Sequence, residues 1–310
     1  MCGIVAYIGN KKALPILING LRRLEYRGYD SAGVAIMNEN FNIQYPISNI
    51  QCLKSVGKID KLVEKINGQD FAGTFGIAHT RWATHGGVTE ANAHPHADCT
   101  GKIILAHNGI IENYRELKEE LRTSHKFKSE TDSEVLAHLI EKYYKNDLRK
   151  AVLEAIAHVR GTYGLVVMHA DHPNTLVVAR MGSPLVVGVG DNEYFIASDA
   201  TPMLAYTKKV IFLEDGEVAE ISREGIQTVN LKDVNVSKHI EEIDWDESQA
   251  QKQGFPHFML KEINEQPKVL EGILGQRIKN NQEVLFEELE IPAQTFSSIN
   301  NITTIACGTA

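Results

Sequence analysis

The chain has 310 residues, 43% of them hydrophobic, which is enough for two domains with packed cores. Its formal net charge is −8 and its sequence pI is about 5.9, which argues against a nucleic-acid-binding protein, because such proteins cluster Lys and Arg. No apolar stretch approaches the ~20 residues of a membrane span, and no basic segment leads into an apolar one at the N-terminus. We therefore expect neither a membrane protein nor a secreted one.

The four cysteines are widely separated and form no CxxC pair: Cys2, Cys52, Cys99 and Cys307. This spacing predicts neither a disulfide framework nor a zinc cage. It favours a reducing compartment, and we expect a cytoplasmic protein.

The N-terminal half contains short apolar runs, typical of buried strands, and apolar residues at helical spacing. A polar, variable stretch is expected up to about Thr74, and residues 131–134 (TDSE) carry an N-cap signature. The predicted strands are 3–9, 33–37, 42–47, 75–78 and 103–106, and the predicted helices are 14–24, 112–121, 135–144 and 148–159.

The next part of the chain is rich in strands. Asp215-Gly216 separates the last two and predicts a hairpin. Strands and helices are grouped in blocks, so the sequence predicts an α+β fold with antiparallel sheets. The strands predicted here are 163–169, 175–180, 185–189, 194–197, 210–213 and 218–221.

The composition changes beyond residue 236. Residues 239–253 are polar and acidic, which is typical of a linker, and 258–276 predict a helix that Pro267 should break or kink. Residues 302–307 predict a new buried strand that runs into Gly308-Thr309. We expect this strand to begin a further domain.

Cys2 directly follows the initiator methionine. Removal of Met1 would give Cys2 a free α-amine with a pKa of about 7.7–8.0, next to a thiol with a pKa of about 8.5. One residue would then supply both the nucleophile and its base. The plain alternative is a small buried side chain at the start of a strand.

The string YRGYDSAG at 26–33 decides between these interpretations. Alone, Gly28 would only close the preceding helix. Together with Cys2, the string resembles the class II glutamine amidotransferases, which are N-terminal-nucleophile (Ntn) hydrolases with an N-terminal cysteine. The resemblance implies that Cys2 attacks glutamine and that Arg27 and Gly28 lie beside it. A nearby cation such as Arg27 would favour the thiolate.

The segment 78–86 (AHTRWATHG) resembles the loop of this family that holds the glutamine carboxylate. Arginine suits this role because its planar fork matches a carboxylate. The segment 129–134 (SETDSE) resembles the part that holds the α-amino group, through Asp132. The glutamine-binding residues implied are Arg81, Trp82, Thr84, His85, His94 and Asp132.

The segment 107–113 (HNGIIEN) resembles the oxyanion segment of the family. Thioester formation from an amide passes through a tetrahedral oxyanion, which the Asn108 side-chain amide and the Gly109 backbone N–H would stabilise. An Asn-Gly pair by itself is only a turn signal.

The resemblance also implies a domain organisation and a set of partners. The expected fold is a four-layer α/β/β/α sandwich at 2–220, followed by a strand end, linker and helix at 221–300. Residues 301–310 would start a sugar-isomerase domain, in which Ala310 stands where the family pattern has serine. The substrate implied is L-glutamine, and the full-length protein should be a homodimer that binds fructose 6-phosphate through the sugar-isomerase domain.

No cofactor and no metal are expected. The close histidines His79, His85, His94 and His96 suggest metal ligands, but the family uses no metal for this reaction. Two alternatives remain open: an N-terminal-cysteine amidotransferase that acts on phosphoribosyl pyrophosphate, and a catalytically silent regulatory module. The Tyr26, Tyr29 and Trp82 variants argue against the first alternative.

Overall fold

The computed structural model describes residues 2–38, 49–69, 71–244, 254–279, 283–284, 295 and 298–303. The chain divides into two compact units, Met1–Ala250 and Gln251–Ala310. In the second unit, helix α6 (Phe258–Arg277) leads into the short strands β15 (Ile278–Lys279) and β16 (Glu283–Val284).

The first unit consists of two antiparallel sheets and their helices. The first sheet has the strand order β14-β11-β9-β10-β1-β4-β2-β3 and the second has β13-β12-β8-β7-β6-β5. The strands are β1 (Gly3–Ile8), β2 (Ser31–Met37), β3 (Ile50–Val56), β4 (Phe75–Arg81), β5 (His96–Ala97), β6 (Ile103–Ile111), β7 (Gly161–His169), β8 (Leu176–Met181), β9 (Val186–Val189), β10 (Tyr194–Ala197), β11 (Lys209–Phe212), β12 (Glu217–Ser222), β13 (Gly225–Asn230) and β14 (Glu241–Glu242). The helices are α1 (Ala13–Arg23), α2 (Ile59–Ile66), α3 (Tyr114–Leu121), α4 (Glu134–Tyr143) and α5 (Leu148–Ala157).

Three apolar cores separate four layers. In β1, Ile4 and Ile8 face the core between the two sheets, whereas Val5 and Tyr7 face the core beneath α1 and α2. The third core lies between the second sheet and α3–α5. This alternation follows from the two-residue period of a strand and requires apolar side chains on both faces. The predicted α/β/β/α sandwich is therefore confirmed.

The polar stretch before Thr74, for which the sequence predicted no element after residue 47, contains β3 and α2. β3 is a half-exposed edge strand with few buried residues, and α2 is short. Ile59, Leu62 and Ile66 alone form the buried face of α2, at helical spacing. The predicted strand 42–47 lies outside the described residues.

The predicted hairpin at Asp215-Gly216 is wrong. The turn exists, and Gly216 adopts a φ of 81°, but it leads from β11 in the first sheet to β12 in the second. β12 pairs instead with β8 and with β13, which the sequence did not predict. A local turn signal specifies the reversal of the chain, not the sheet in which the next strand pairs.

Two further expectations differ from the structure. α6 continues through Pro267 without a break; the helix is largely exposed there, so water can satisfy the carbonyl that proline leaves without an N–H. Within the expected linker, β14 pairs with β11. Of the predicted strand 302–307, the described residues 302–303 are irregular and the rest lies outside the described ranges.

Candidate active site

A pocket of about 280 Å³, counting its open mouth, lies where the two sheets face each other beside Cys2. Most of the predicted site residues line it. The sequence did not single out His107, Thr131 or Ser133 as site residues. The lining residues are Cys2, Arg81, Trp82, Thr84, His85, His94, His107, Gly109, Thr131, Asp132 and Ser133.

Strand register brings these residues together. β1 pairs with β4 so that Gly3 lies opposite Thr80, which places Cys2 beside the end of β4. Asn108 and Gly109 come from β6 in the facing sheet. The sequence placed them just after a strand, but β6 continues to Ile111, so they lie within it.

The Cys2 thiol is partly buried at the pocket. Its Sγ accepts a hydrogen bond from the Trp82 backbone N–H at 3.2 Å. Burial nevertheless raises the pKa of the thiol above its ordinary value, and the Trp82 N–H and the Arg81 charge offset this only in part. Burial thus dominates the pKa of the thiol, and the N-terminal amine and Arg81 are cations that lower it. The expectation that Arg27 favours the thiolate stays a prediction.

Arg27 fixes the backbone of Cys2. Its Nη1 donates to the Cys2 carbonyl at 3.1 Å, and its Nη2 lies 3.3 Å from Asp199 Oδ2. Gly28 adopts a φ of 73°, and a Cβ there would lie 3.3 Å from the Trp82 ring. Both residues lie beside the nucleophile without lining the pocket.

Asn108 is oriented by buried neighbours. His79 Nε2 lies 2.9 Å from the Asn108 side-chain oxygen, an acceptor, so this nitrogen carries the proton. Burial lowers the pKa of His79 to about 3, which keeps the ring neutral. Asn108 Nδ2 donates to Ser198 Oγ at 2.8 Å and lies 3.4 Å from the Cys2 carbonyl. The second, longer contact leaves one amide hydrogen directed towards Cys2 and weakly engaged.

Position 109 requires glycine because of its backbone conformation and the close approach of β7. Its φ is 131°, and a Cβ at this position would lie 2.1 Å from the Thr162 carbonyl oxygen. No other residue fits without displacing β7. The turn signal of the Asn-Gly pair therefore marks an unusual conformation inside a strand.

Arg81 organises the loop that follows β4. Its guanidinium donates to the carbonyl oxygens of His85 at 2.5 Å, Gly86 at 3.3 Å and Gly87 at 3.0 Å. The sequence predicted a carboxylate-binding arginine; the structure shows a buried guanidinium that also folds the loop around itself. Trp82, in the same loop, is 53% exposed at the pocket mouth.

The other wall of the pocket is the segment before α4. Asp132 is buried and accepts a hydrogen bond from the Ile111 N–H at 2.8 Å. Thr131 Oγ1 accepts from the N–H of Glu134, the first residue of α4, at 3.3 Å, while the N-cap residue Ser133 makes no side-chain cap hydrogen bond. His107 Nε2 contacts the Thr162 carbonyl at 3.3 Å, so Nδ1 accepts from Ser133 Oγ at 2.8 Å.

His94 stacks between His79 and His96, with ring centroids 4.1 and 4.5 Å away. Burial lowers the pKa of His94 and His96 well below the ordinary value. His96 Nε2 contacts Thr131 Oγ1 at 3.1 Å. The three rings thus form a neutral, packed group, of which His94 lines the pocket. Their close sequence spacing, which suggested metal ligands, reflects this packing.

Residues 79–205 match the glutamine amidotransferase domain family. Fold and pocket agree with this match, and the chain contains a glutamine amidotransferase domain with the Ntn-hydrolase architecture. The solved glutamine phosphoribosylpyrophosphate amidotransferase from B. subtilis shares this fold with a TM-score of 0.63 and 25% identity. The likeness covers 74% of this chain and 49% of that one.

Whole-chain comparison is more specific. The chain is 48% identical over its full length to glutamine–fructose-6-phosphate aminotransferase (isomerizing) of Thermus thermophilus, and 45% identical to the enzymes of that name from Clostridium tetani and Thermotoga maritima. In each case it covers 50% of the relative. The chain is thus homologous to these aminotransferases and spans about half of their length. None of the helices in the described ranges combines the length and apolarity that a membrane crossing needs.

Proposed function

We propose that this chain hydrolyses L-glutamine to glutamate and ammonia, with Cys2 as the nucleophile. The observation that carries the proposal is the single pocket that joins the Cys2 thiol to Arg81, Gly109 and Asp132. These side chains and backbone groups supply the nucleophile, a cation, an N–H donor and an anion that the reaction requires.

Because the pKa of the thiol is raised, the thiol needs a base to remove its proton, and the α-amine of Cys2 serves as that base. After removal of Met1, the neutral amine takes the thiol proton while Sγ attacks the side-chain carbonyl carbon of glutamine. The C–N bond of the tetrahedral intermediate then breaks, and the departing nitrogen takes the proton back and leaves as ammonia. Water attacks the resulting thioester, which releases glutamate and the thiol.

The two walls of the pocket bind the two ends of glutamine. Arg81 attracts the α-carboxylate of glutamine by its positive charge, and its hydrogen bonds to the loop hold that wall of the pocket in place. The other residues that line this part of the site are Trp82, Thr84, His85 and His94. Asp132 holds the α-ammonium group. The weakly engaged amide hydrogen of Asn108 and the N–H of Gly109 stabilise the oxyanion, while Arg27 and Gly28 position Cys2.

In the longer protein, we propose that the ammonia converts fructose 6-phosphate to glucosamine 6-phosphate. The support is the 48% identity to aminotransferases of that name. We assign residues 2–220 to glutaminase, 221–300 to a connecting region and 301–310 to the start of a sugar-isomerase domain. We further propose that the longer protein is a cytoplasmic homodimer.

Transfer to phosphoribosyl pyrophosphate is the second candidate, because the solved amidotransferases that share the fold include an enzyme of that kind. Its identity to this chain is 25%, against 48% for the fructose-6-phosphate enzyme. Assays of the longer protein with each acceptor distinguish the two candidates by their aminated products.

The decisive experiment compares the unmodified chain with Cys2→Ala and Cys52→Ala. We expect glutamate release to be lost in Cys2→Ala and retained in Cys52→Ala, whose thiol lies outside the pocket. Mass spectrometry of the N-terminus should show Cys2 as the first residue of the active protein. Unchanged turnover in Cys2→Ala, or full activity with Met1 retained, would refute the mechanism.

A further inference from the structure

A second group of donor side chains lies outside the pocket, where α4 meets two loops. Cys99 precedes β6, His125 follows α3, and His138 and Glu141 lie three residues apart on α4. One ligand atom each from Cys99, His138 and Glu141 lies within 4.8 Å of the others. Nothing in the proposed glutaminase mechanism uses this cluster.

The separations match those of ligands around one tetrahedral ion. Cys99 Sγ lies 3.6 Å from His138 Nδ1, and His138 Nδ1 lies 3.2 Å from Glu141 Oε2. Zn–S and Zn–N or Zn–O bonds of ~2.3 and ~2.0–2.1 Å at tetrahedral angles place such atoms ~3.6 and ~3.3 Å apart. His125 Nε2 lies 3.6 Å from Glu141 Oε2 but outside the group in which all ligand atoms converge within 4.8 Å, so its ring has to turn towards Cys99 and His138 to become the fourth ligand.

The two nitrogens of the buried His138 ring each face a carboxylate, that of Glu141 and that of Glu134. Its Nδ1 faces Glu141, and its Nε2 lies 3.6 Å from Glu134 Oε1 without hydrogen-bond geometry. A neutral imidazole carries one N–H and can serve only one of them. A metal ion at Nδ1 would place the proton on Nε2, facing Glu134, which is the outer-shell arrangement usual for metal-bound histidine.

Burial and the neighbouring Glu141 carboxylate raise the pKa of the Cys99 thiol, so a thiolate at this position needs a cation beside it. The Lys126 backbone N–H donates to Sγ at 3.2 Å, and the side chain is at the surface, where an ion can enter. Glu141 and His125 are 19% and 10% exposed. One thiolate and one carboxylate balance a divalent charge.

We propose that Cys99, His125, His138 and Glu141 bind one divalent ion of the zinc class as a structural clip. The thiolate and imidazole donors select zinc over magnesium or calcium, and four protein ligands leave no position for catalysis. The clip would fasten α4 to the loops at 99 and 125. No local spacing in the sequence reveals it, because the ligands come from three separate segments.

The test uses the 310-residue chain carrying Cys2→Ala, Cys52→Ala and Cys307→Ala, so that Cys99 is the one remaining cysteine. Zinc binding is measured by equilibrium dialysis with a chelating indicator as competitor, and Co²⁺ replaces Zn²⁺ for absorption spectroscopy. We expect one ion per chain and a thiolate-to-cobalt charge-transfer band.

Adding Cys99→Ser should abolish the band and weaken zinc binding by at least ~100-fold, and Glu141→Gln should weaken it similarly. His125→Asn should weaken it by ~10-fold or more. The exposed Glu64→Gln serves as the matched control and should change nothing. Circular dichroism verifies that each variant is folded.

The alternative is a protonated His138 bridging Glu134 and Glu141 without a metal. It predicts no stoichiometric zinc and no charge-transfer band. Either of these results, or equal zinc affinity with and without Cys99, would overturn the proposal. Because activity is not the readout, the outcome is independent of the glutaminase proposal.

Discussion

The two sides of the pocket are held in different ways. The nucleophile side (Cys2, Asn108 and Gly109) rests on paired strands and on buried hydrogen bonds among His79, Asn108 and Ser198. The loop side (residues 81–92) has no strand pairing beyond Arg81 and is held by a few polar contacts. The proposed reaction groups thus lie on or directly beside paired strands, whereas the proposed carboxylate-binding groups lie at the end of β4 and in the loop that follows it, and Asp132 lies on the separate segment before α4. Changes on the first side should lower kcat, and changes on the second should raise KM.

The largest effect is expected from Asn108→Ala on the nucleophile side. Loss of one oxyanion donor should lower kcat for glutamine hydrolysis by ~10²–10³-fold with little change in KM. Steady-state kinetics measure both constants, and Asn235→Ala, at an exposed position, is the control. A rise in KM with unchanged kcat would instead assign Asn108 to substrate binding.

Arg81→Lys tests the loop side. Lysine lacks the planar fork, so it cannot donate to the carbonyls of His85, Gly86 and Gly87 together. Hydrogen bonds from a charged group contribute ~1.5–3 kcal/mol, so kcat/KM should fall ~10–100-fold, mainly through KM.

Limited proteolysis should also cut the loop of Arg81→Lys faster than that of the unmodified chain. Arg122→Lys, whose side chain is 64% exposed, should behave normally in both measurements. A fall in kcat alone would contradict the division between the two sides.

Ser198→Ala sharpens the description of the nucleophile side. Ser198 Oγ accepts from the Ile4 N–H and from Asn108 Nδ2, both at 2.8 Å, and so joins the two sheets. Its removal leaves two buried donors without their acceptor and should lower the free energy of unfolding by ~1–3 kcal/mol. Because Asn108 is then less restrained, kcat should fall ~10-fold with KM retained.

Urea unfolding measures the stability change of Ser198→Ala, and the exposed Ser237→Ala is the control. Loss of stability with unchanged kcat would show that His79 alone suffices to position Asn108.

The same contrast explains what the sequence could predict. Apolar runs predicted strands such as β1 and β6, which the structure buries on both faces, whereas the number of layers was implied by the family resemblance. β3 and α2 were missed because each buries only a few residues, and the turn at Gly216 gave no indication that β12 joins the other sheet. Local periodicity does not encode which strands pair across the fold.

The motifs predicted a set of site residues, most of which line one pocket, but not the contacts that hold them in place. Nothing near Arg27 in sequence shows that it holds the Cys2 carbonyl. His79 in β4 and Ser198, directly after β10, contact Asn108 from positions far away in sequence. Such contacts depend on tertiary register, which a single sequence does not display.

The smallest expected effect is that of Glu130→Gln, which tests how firmly the loop side is anchored. Glu130 Oε2 accepts from Asn92 Nδ2 at 3.1 Å and from the Gly87 N–H at 3.3 Å, and the Asn92 contact holds the pKa of the carboxyl below its usual value. Glutamine keeps an acceptor oxygen but removes the charge, so KM should rise by at most ~5-fold, as expected for an exposed contact, with kcat unchanged. Glu119→Gln, another exposed glutamate, controls for the altered net charge. A fall in kcat as large as that of Asn108→Ala would show that the loop governs the chemical step, and the two sides would then not be separable.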